Sequence, residues 1–298
     1  MRIDLDLRRL RFFVEVVRQG GFSQAAKVVF ATQPTVSKAI KQLEDELGGP
    51  LLERIGHRSK LTAAGQIVYD RALGLLAAGQ DLVTELEELR GLRRGTLSIG
   101  FPRLGSSALF GSAFATFRRD YPAIDVNLTV HDAGRLEELL RTGELDLAAL
   151  IQPIAGEFEW QDVRSDPLVV LLPRDHPLAA QKTVKLANLA DIPFILSEDG
   201  FALDQLILDA CRSTGFTPKI AARSGQLDFI FELVAEGVGI AFLPRVLFEK
   251  RPHRMVRSVL LEEPKCHWRI SLAWRNGGYL SHAARAWLAH MQAEQADR

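Results

Sequence analysis

The first fifty residues contain three short runs in which apolar residues recur at helical spacing. The first run predicts a helix that ends at the Gly20-Gly21 pair. The second predicts a short helix with Ser23 as its N-cap, followed by a tight turn that begins at Phe30. The third predicts a helix that starts near Gln33-Pro34, because proline suits the first helical turn. The apolar residues expected on the buried faces are Leu10, Phe13, Val14, Val17, Ala25, Ala26, Val29, Val36, Ile40, Leu43 and Leu47.

The third predicted helix has polar residues on the face that its apolar stripe leaves outside. Gln33 lies at its N-terminal end, and Ser37, Lys38 and Lys41 follow on the exposed side. Two helices joined by a turn of about three residues form a helix-turn-helix, whose second helix enters the DNA major groove. Amide and ammonium groups there contact base edges and phosphates. On periodicity alone, a small helical bundle with a solvated polar face is the alternative.

Residues 66–92 predict one long amphipathic helix. Its apolar residues recur every three or four positions, and acidic residues occupy the other faces. A helix of this length must bury its stripe, and we favour packing against the same helix of a second copy. Packing within the chain is the alternative. The stripe consists of Ile67, Leu73, Leu76, Leu82, Leu86 and Leu89.

From Gly95 onward the pattern alternates between strands and helices. Three predicted strands separated by two helices fill residues 97–151, and the same order returns in residues 194–243. Two β-α-β-α-β units in series predict two doubly wound lobes with largely parallel strands. The apolar stretches 168–172 and 268–274 lie where the chain would cross between the lobes. Such folds bind ligands at the carboxyl ends of their strands, so a cleft between the lobes is expected.

Composition narrows the class of protein. The chain has 298 residues, 47% of them hydrophobic and 25% charged, which is typical of a folded protein of about two domains. No apolar run is long enough for a membrane helix, and the N-terminus has no apolar signal core, so we expect a cytoplasmic protein. The two cysteines, Cys211 and Cys266, fit a reducing compartment as unrelated buried thiols.

The formal net charge of zero conceals an uneven distribution. Residues 1–66 hold eleven basic and seven acidic side chains, a balance of +4, so residues 67–298 carry −4. A small basic N-terminal part on an acidic remainder indicates a polyanionic partner for the N-terminal part alone.

Residues 22–65 contain a long ordered motif. Its residues are Ala25, Ala26, Gln33, Pro34, Ser37, Ile40, Leu43, Glu44, Leu47, Gly48, Leu51, Arg54 and Leu61 to Gly65. They resemble the winged helix-turn-helix of the LysR-type transcriptional regulators, and the resemblance continues through the long helix, GELDLAAL and GVGIAFLP. It implies an α/β fold with three parts: an N-terminal winged helix-turn-helix (residues 1–65), a linker or dimerisation helix (66–94) and a two-lobed effector domain like the type 2 periplasmic binding proteins (95–298). Lobe I is expected at 95–165 with 266–298, and lobe II at 166–265.

The resemblance also implies the DNA-contacting residues and the partners. The expected DNA-contacting residues are Ser23, Thr32, Gln33, Pro34, Thr35, Ser37, Lys38, Lys41, Arg54, His57, Arg58 and Lys60. The family usually has arginine where His57 stands, so whether His57 or Arg58 takes that role is open. It usually has phenylalanine where Leu52 stands, a core change of little effect. The expected partners are a pseudo-palindromic DNA operator, a small-molecule effector, RNA polymerase and further copies of the chain in a homodimer or homotetramer, with no membrane partner.

The sequence contains no catalytic or metal-binding motif, so we expect neither an enzyme nor a cofactor. The turn from Pro102 to Ser107 runs straight into a helix, and Arg103 and two serines beside free N–H groups favour a small anion. In the alternative, a serine caps the helix and Arg103 points at water. By position in the family, the expected effector-binding residues are Pro102, Arg103, Leu104, Ser106, Ala133, Gln152, Ser197, Phe201, Asp228 and Pro244. A solute-binding protein of a transport system, which shares the two lobes, is the alternative function.

Overall fold

The computed structural model of the protein describes residues 5–55, 58–89, 95–197, 202–263 and 266–296. The chain divides into two compact units. The first, the head, comprises Met1–Leu92 with Arg141–Glu144, and the second, the body, comprises Arg93–Leu140 with Leu145–Arg298. Nowhere in the described ranges is there a helix long and apolar enough to cross a membrane.

The head consists of three short helices, a two-stranded hairpin and a long helix. Their bounds are α1 Leu7–Arg18, α2 Phe22–Val28, α3 Gln33–Leu47, β1 Leu52–Ile55, β2 Arg58–Leu61 and α4 Ala63–Leu89. The predicted apolar faces form the core, in which Phe13, Val36 and Leu43 are fully buried. The predicted Ser23 cap is wrong, because α2 begins earlier, with Gly21 as its N-cap and Ser23 inside the first turn.

Polar side chains attach the hairpin to α3 and α4. One carboxylate oxygen of Glu44 accepts hydrogen bonds from the amides of Leu51 (2.9 Å) and Leu52 (3.3 Å). The hydroxyl oxygen of Thr62 accepts from the amide of Gly65 (2.9 Å) at the start of α4. A Cβ atom on Gly65 would lie 2.0 Å from the carbonyl oxygen of Leu51, so only glycine fits there. These contacts explain why Glu44, Thr62 and Gly65 belong to the motif.

The long helix α4 has two different halves. It begins at Ala63, ahead of the predicted residue 66. Its first half packs against the head core, where Leu73 is buried and Leu76 is half-buried. In its second half Leu82 and Leu89 are 58% and 77% exposed. Packing within the chain therefore accounts for Leu73 and Leu76. The prediction is wrong for Ile67, which is 66% exposed, and the second half of the helix keeps an apolar surface.

The body begins with the predicted alternation of strands and helices, which forms lobe I. The elements are β3 Thr96–Pro102, α5 Ser106–Asp120, β4 Asp125–His131, α6 Ala133–Arg141 and β5 Leu147–Ile151. β3 is parallel to both β4 and β5. The carboxyl ends of these strands therefore meet at one edge, and the turn from β3 into α5 lies there.

One long strand, β6, connects the rest of the body. The remaining elements are β6 Phe158–Pro173, β7 Thr183–Val184, β8 Phe194–Leu196, α7 Ala202–Thr214, β9 Ile220–Arg223, α8 Leu227–Ala235, β10 Ala241–Pro244, α9 Arg245–Lys250, β11 Val256–Leu261, β12 His267–Arg275 and α10 His282–Ala296, with 3-10 turns at Pro177–Ala180 and Leu186–Leu189. The first part of β6 pairs with β12, and its second part pairs with β10 and β11. The strand thus runs from lobe I into a second group of elements, β8 to α9, which we call lobe II.

Lobe II contains the predicted parallel strands and one antiparallel pairing with β6. β8 and β9 are parallel, but β10 is antiparallel to β6, and one parallel bridge from Phe194 to Ile240 joins it to β8. The prediction of largely parallel strands therefore holds for β8, β9 and the start of β10, and the antiparallel partner of β10 is β6, the strand that crosses between the lobes. Beyond its pairing with β12, β6 offers unpaired backbone N–H and C=O groups, and β10 pairs with them.

Candidate functional site

Local hydrogen bonds fix the N-terminus of α3. Thr32 is its N-cap: the hydroxyl oxygen accepts from the Thr35 amide (3.4 Å), and the two hydroxyl oxygens lie 2.8 Å apart. Pro34 occupies the first turn. Ser23 of α2 lies beside this turn, with its hydroxyl oxygen 3.4 Å from the side-chain oxygen of Gln33. These contacts therefore fix the backbone from which the side chains of the first turn project.

The predicted DNA-contacting side chains that the structure describes are all exposed. Gln33, Ser37 and Lys41 are spaced by four residues and form one row along α3, with Pro34 and Lys38 in the neighbouring row. The exposed set is Ser23, Thr32, Gln33, Pro34, Thr35, Ser37, Lys38, Lys41 and Lys60. Amide, hydroxyl and ammonium groups thus share one surface of the head, as base and phosphate recognition requires.

A groove of about 770 Å³ runs between α3 and the start of the hairpin. Gln33, Ser37 and Lys41 line it along the first turns of α3. Further along the helix the lining becomes acidic, with Glu44 and Asp45. Carboxylates repel DNA phosphates, so the surface suited to DNA is the N-terminal part of α3.

The hairpin β1–β2 stands where the wing is expected. Its strands are antiparallel, with Glu53 opposite Lys60, and Lys60 is exposed. His57 lies outside the described residues, as do the side chains of Arg54 and Arg58. Through Lys60 the hairpin adds an exposed cation to those of α3.

Phe30, in the turn between α2 and α3, has an unusual conformation. Its φ of 51° lies in the left-handed region, and its side chain is 98% exposed. This region is unfavourable for a residue with a large side chain, so the backbone is strained there. The sequence places Phe30 in a tight turn but gives no signal for an exposed ring.

In the body, a cavity of about 490 Å³ lies where lobe I meets lobe II. Lobe I contributes the turn after β3, and lobe II contributes the ends of β8 and β10 with parts of α8 and α9. The described charged and hydroxyl side chains in its wall are Arg103, Ser197, Asp204, Ser224, Lys250 and Arg251. Leu104, Leu227, Phe242 and Leu247 are among its apolar residues. The cavity combines apolar side chains with polar and charged groups that can orient a small molecule.

The cationic side chains of this cavity differ in their partners. The Lys250 ammonium donates a hydrogen bond to the carbonyl of Ala108 in α5. Arg251 pairs with Asp228 at 3.4 Å, and both side chains are largely exposed. Arg103 is exposed, and no acidic side chain of the described chain pairs with it. The described wall therefore carries an excess of positive charge, which attracts anions.

A smaller cavity, of about 30 Å³, shares Arg103 and Leu104 with the larger one. Pro102 and Ala133, two further predicted effector residues, line it. Of the predicted effector residues, Arg103, Leu104 and Ser197 line the larger cavity. Of the predicted effector residues, those in the turn after β3 (Arg103 and Leu104) therefore line both cavities.

Gln152 is held by hydrogen bonds at the end of β5. Its amide donates to Asp162 (2.7 Å) and to the hydroxyl of Ser271 (3.0 Å), and it lines neither cavity. Phe201 and the side chain of Ser106 lie outside the described residues.

Two predicted residues and two unpredicted ones lie around α9. Asp228 pairs with Arg251, and Pro244 is the buried N-cap of α9. Lys250 and Arg251, which line the larger cavity, were missed from the sequence. They end and follow a helix of six residues, which is too short to show a periodicity.

Both cysteines are buried. Burial raises the pKa of Cys211 from 9.0 to about 11. It raises that of Cys266 to about 12, with a smaller contribution from the charge of Glu263. Such thiols stay protonated near neutral pH and react slowly. Across the described ranges, no group of three or more potential ligand side chains is placed to hold a metal ion.

Known proteins resemble both units of the chain. Residues 7–66 match the family described as bacterial regulatory helix-turn-helix protein, lysR family, and residues 90–296 match the LysR substrate binding domain. YwbI of Bacillus subtilis, an uncharacterised HTH-type transcriptional regulator, is 33% identical over 96% of this chain and 95% of its own. GltC of the same bacterium, a transcriptional dual regulator, is 32% identical over 88% of each chain. Full-length OxyR from Pseudomonas aeruginosa has a similar fold, with a TM-score of 0.69 and 24% identity over 98% of this chain and 96% of that one.

Proposed function

The chain belongs to the LysR family of bacterial transcriptional regulators, and from that premise we propose that its head binds a pseudo-palindromic operator and its body a small anionic effector. It is a DNA-binding regulator with an effector-binding domain, and the curated relatives named above are regulators, so the transport alternative is wrong. In the proposal both units bind and neither catalyses. The regulator acts in the cytoplasm, with RNA polymerase as a further partner.

The exposed rows on α3 support the operator proposal. Gln33 stands at the exposed N-terminus of the helix that is expected in the major groove, where an amide side chain reads adenine. Lys38 and Lys41 are exposed on the same helix and suit phosphates or guanine. The acidic residues near the end of α3 would repel phosphates, which supports binding at this N-terminal part.

Selection from a library of random duplexes tests the operator proposal. The full-length protein is expected to enrich one pseudo-palindromic sequence. Gln33→Ala should relax the preference at the bases it contacts, by about 1–3 kcal/mol per lost contact. Gln80→Ala, a control at an exposed position of α4, should keep the wild-type preference. Enrichment of no sequence by the wild-type protein would contradict the proposal.

The second half of α4 supports a homodimer. Leu75, Leu82, Leu86 and Leu89 are each more than 40% exposed, at intervals of seven, four and three residues that place them on one face. Burying one leucine stabilises an interface by about 1.5–3 kcal/mol, so four of them suffice for a tight dimer. A dimer formed through this face would contain two heads, one for each half of a palindrome.

Light scattering tests the dimer. Leu82→Lys combined with Leu86→Lys should lower the mass to that of one chain, because lysine ammonium groups resist burial. Leu76 is unsuited to this test, since it packs against the head core. Gln80→Lys, on the opposite side of α4, adds the same charge as one of these changes and should leave the mass unchanged. A monomeric wild-type protein at micromolar concentration would refute the homodimer.

The larger cavity of the body supports an anionic effector. Arg103 is exposed at its rim and lacks an acidic partner within the described chain. The first-turn amides of α5 follow directly, and the N-cap Gly105 provides no side chain to bond them. A charge-assisted hydrogen bond contributes about 1.5–3 kcal/mol, so Arg103→Ala should weaken effector binding about tenfold or more in calorimetry. An uncharged effector, or equal affinities, would remove Arg103 from the site.

A further inference from the structure

The larger cavity holds uncompensated positive charge on both of its walls. Arg103 belongs to the turn after β3 in lobe I, and Lys250 ends α9 in lobe II. Neither cation pairs with a carboxylate in the described part of the chain. Lys250 donates to a neutral carbonyl, that of Ala108, and Arg103 has no hydrogen-bond or ion-pair partner there. Two like charges that face one cavity repel each other, and a bound anion removes that repulsion.

The other charged groups in the wall are already compensated. Arg251 pairs with Asp228 at 3.4 Å. Asp204 is buried in the first turn of α7, where the positive end of the helix dipole stabilises a carboxylate. The charges left for a ligand are therefore those of Arg103 and Lys250.

Apolar side chains form part of the same wall. Leu104 lies beside Arg103, Leu247 lies on α9 with Lys250, and Phe242 and Leu227 complete this part of the wall. Apolar side chains exclude water and favour a hydrocarbon body over a compact hydrated ion. A volume of about 490 Å³ suits a small molecule of this kind.

We propose that the effector carries two anionic groups joined by a short apolar body, as in a small dicarboxylate, with one group on Arg103 and the other on Lys250. The inference rests on the proposed function and specifies its ligand. The second group takes the Lys250 ammonium in place of the Ala108 carbonyl, because a charged acceptor forms a stronger hydrogen bond than a neutral one. The effector thereby replaces a direct contact between α9 and α5 by a bridge between the lobes.

Calorimetry with chain-length-matched acids tests this inference on the full-length protein. The probes are succinate, glutarate and adipate, each paired with the monocarboxylate of the same carbon number: butyrate, valerate and hexanoate. At least one dicarboxylate should bind ten times or more tightly than its partner. Lys250→Met keeps the length and apolar stem of the side chain but removes the charge, so this preference should fall to less than about twofold.

Two further variants make the result specific. Arg103→Met should abolish the preference in the same way, because it removes the other anchor. Arg245→Met is the control: it lies on α9 with Lys250, pairs with Glu249 at 3.4 Å and does not line the cavity, so the preference should persist. Thermal unfolding of each variant verifies that the body is folded.

Three outcomes would overturn the inference: no dicarboxylate binds, each pair of acids binds equally, or Lys250→Met keeps the wild-type preference. The operator selection separates this failure from that of the proposed function. A protein that selects an operator but binds no dicarboxylate retains its function and loses this ligand class. A protein that selects no operator loses the proposed function, whichever acid it binds.

Discussion

Replacing Gly65 by alanine perturbs the junction between α4 and the hairpin most sharply. The new Cβ atom would lie 2.0 Å from the carbonyl oxygen of Leu51 and 2.9 Å from its carbonyl carbon. Relief requires a backbone shift, which also disturbs the hydrogen bond from the Thr62 amide to that oxygen (3.0 Å). Overpacking costs about 1–3 kcal/mol and a weakened hydrogen bond about 0.5–1.5 kcal/mol, so Gly65→Ala should destabilise the head by about 2–4 kcal/mol.

Gly74→Ala on the same helix is the matched control. No atom lies within 4 Å of its added Cβ, so the change should stabilise α4 by about 0.5–1 kcal/mol. All four tryptophans lie beyond residue 92, so fluorescence reports the body, and far-UV circular dichroism also follows the helices of the head. For a unit of this size, Gly65→Ala should lower the dichroism midpoint by about 10 °C or more and leave the fluorescence midpoint unchanged. Equal midpoints for both alanine variants would refute this account of the junction.

Three further predictions concern strain, thiol reactivity and a buried carboxylate. Phe30→Asn should stabilise the head by about 1 kcal/mol and so raise its thermal midpoint, because asparagine tolerates the left-handed region. An unchanged midpoint would show that the turn is unstrained. A thiol reagent at pH 8 should label Cys211 and Cys266 about a hundredfold more slowly in the native chain than in urea. The free energy of unfolding should fall as pH rises from 9 towards 11, because the thiols of the unfolded chain lose their protons first. Asp166→Ala should destabilise the body by about 2–3 kcal/mol, since it leaves the Val246 amide and the Arg164 guanidinium without the carboxylate that accepts their hydrogen bonds. Urea titrations followed by fluorescence measure the change, and a loss below about 0.5 kcal/mol would show that this carboxylate does not stabilise the body.

The apolar pattern predicts elements whose burial is one-sided. Val36 and Leu43 mark the buried face of α3, and the order of strands and helices through lobe I is confirmed. The apolar pattern is less informative in a helix whose apolar residues pack partly within the chain and partly, as proposed, against a second copy. In α4, Leu76 contacts the head core and Leu82 stays exposed, although both belong to one stripe.

Other features depend on contacts that are distant along the chain. β6 runs for 16 residues, and its first part contains charged residues because several of its positions are exposed. The antiparallel position of β10 follows from the free edge of β6, which no local pattern reveals. Lys250 enters the cavity only because α9 packs beside the turn that carries Arg103. Arg103, which follows a strand directly, was predictable on topology alone.

The central claim is that the exposed N-terminal part of α3 binds DNA. Its most direct test is the affinity of the full-length protein for the selected operator, measured at a series of salt concentrations. Lys38→Ala should weaken binding and reduce the slope of log affinity against log salt by about one, since one phosphate contact is lost. Arg71→Ala removes the same charge from an exposed position on α4 and should match the wild type. If Lys38→Ala has the affinity and slope of Arg71→Ala, the account of this surface is wrong.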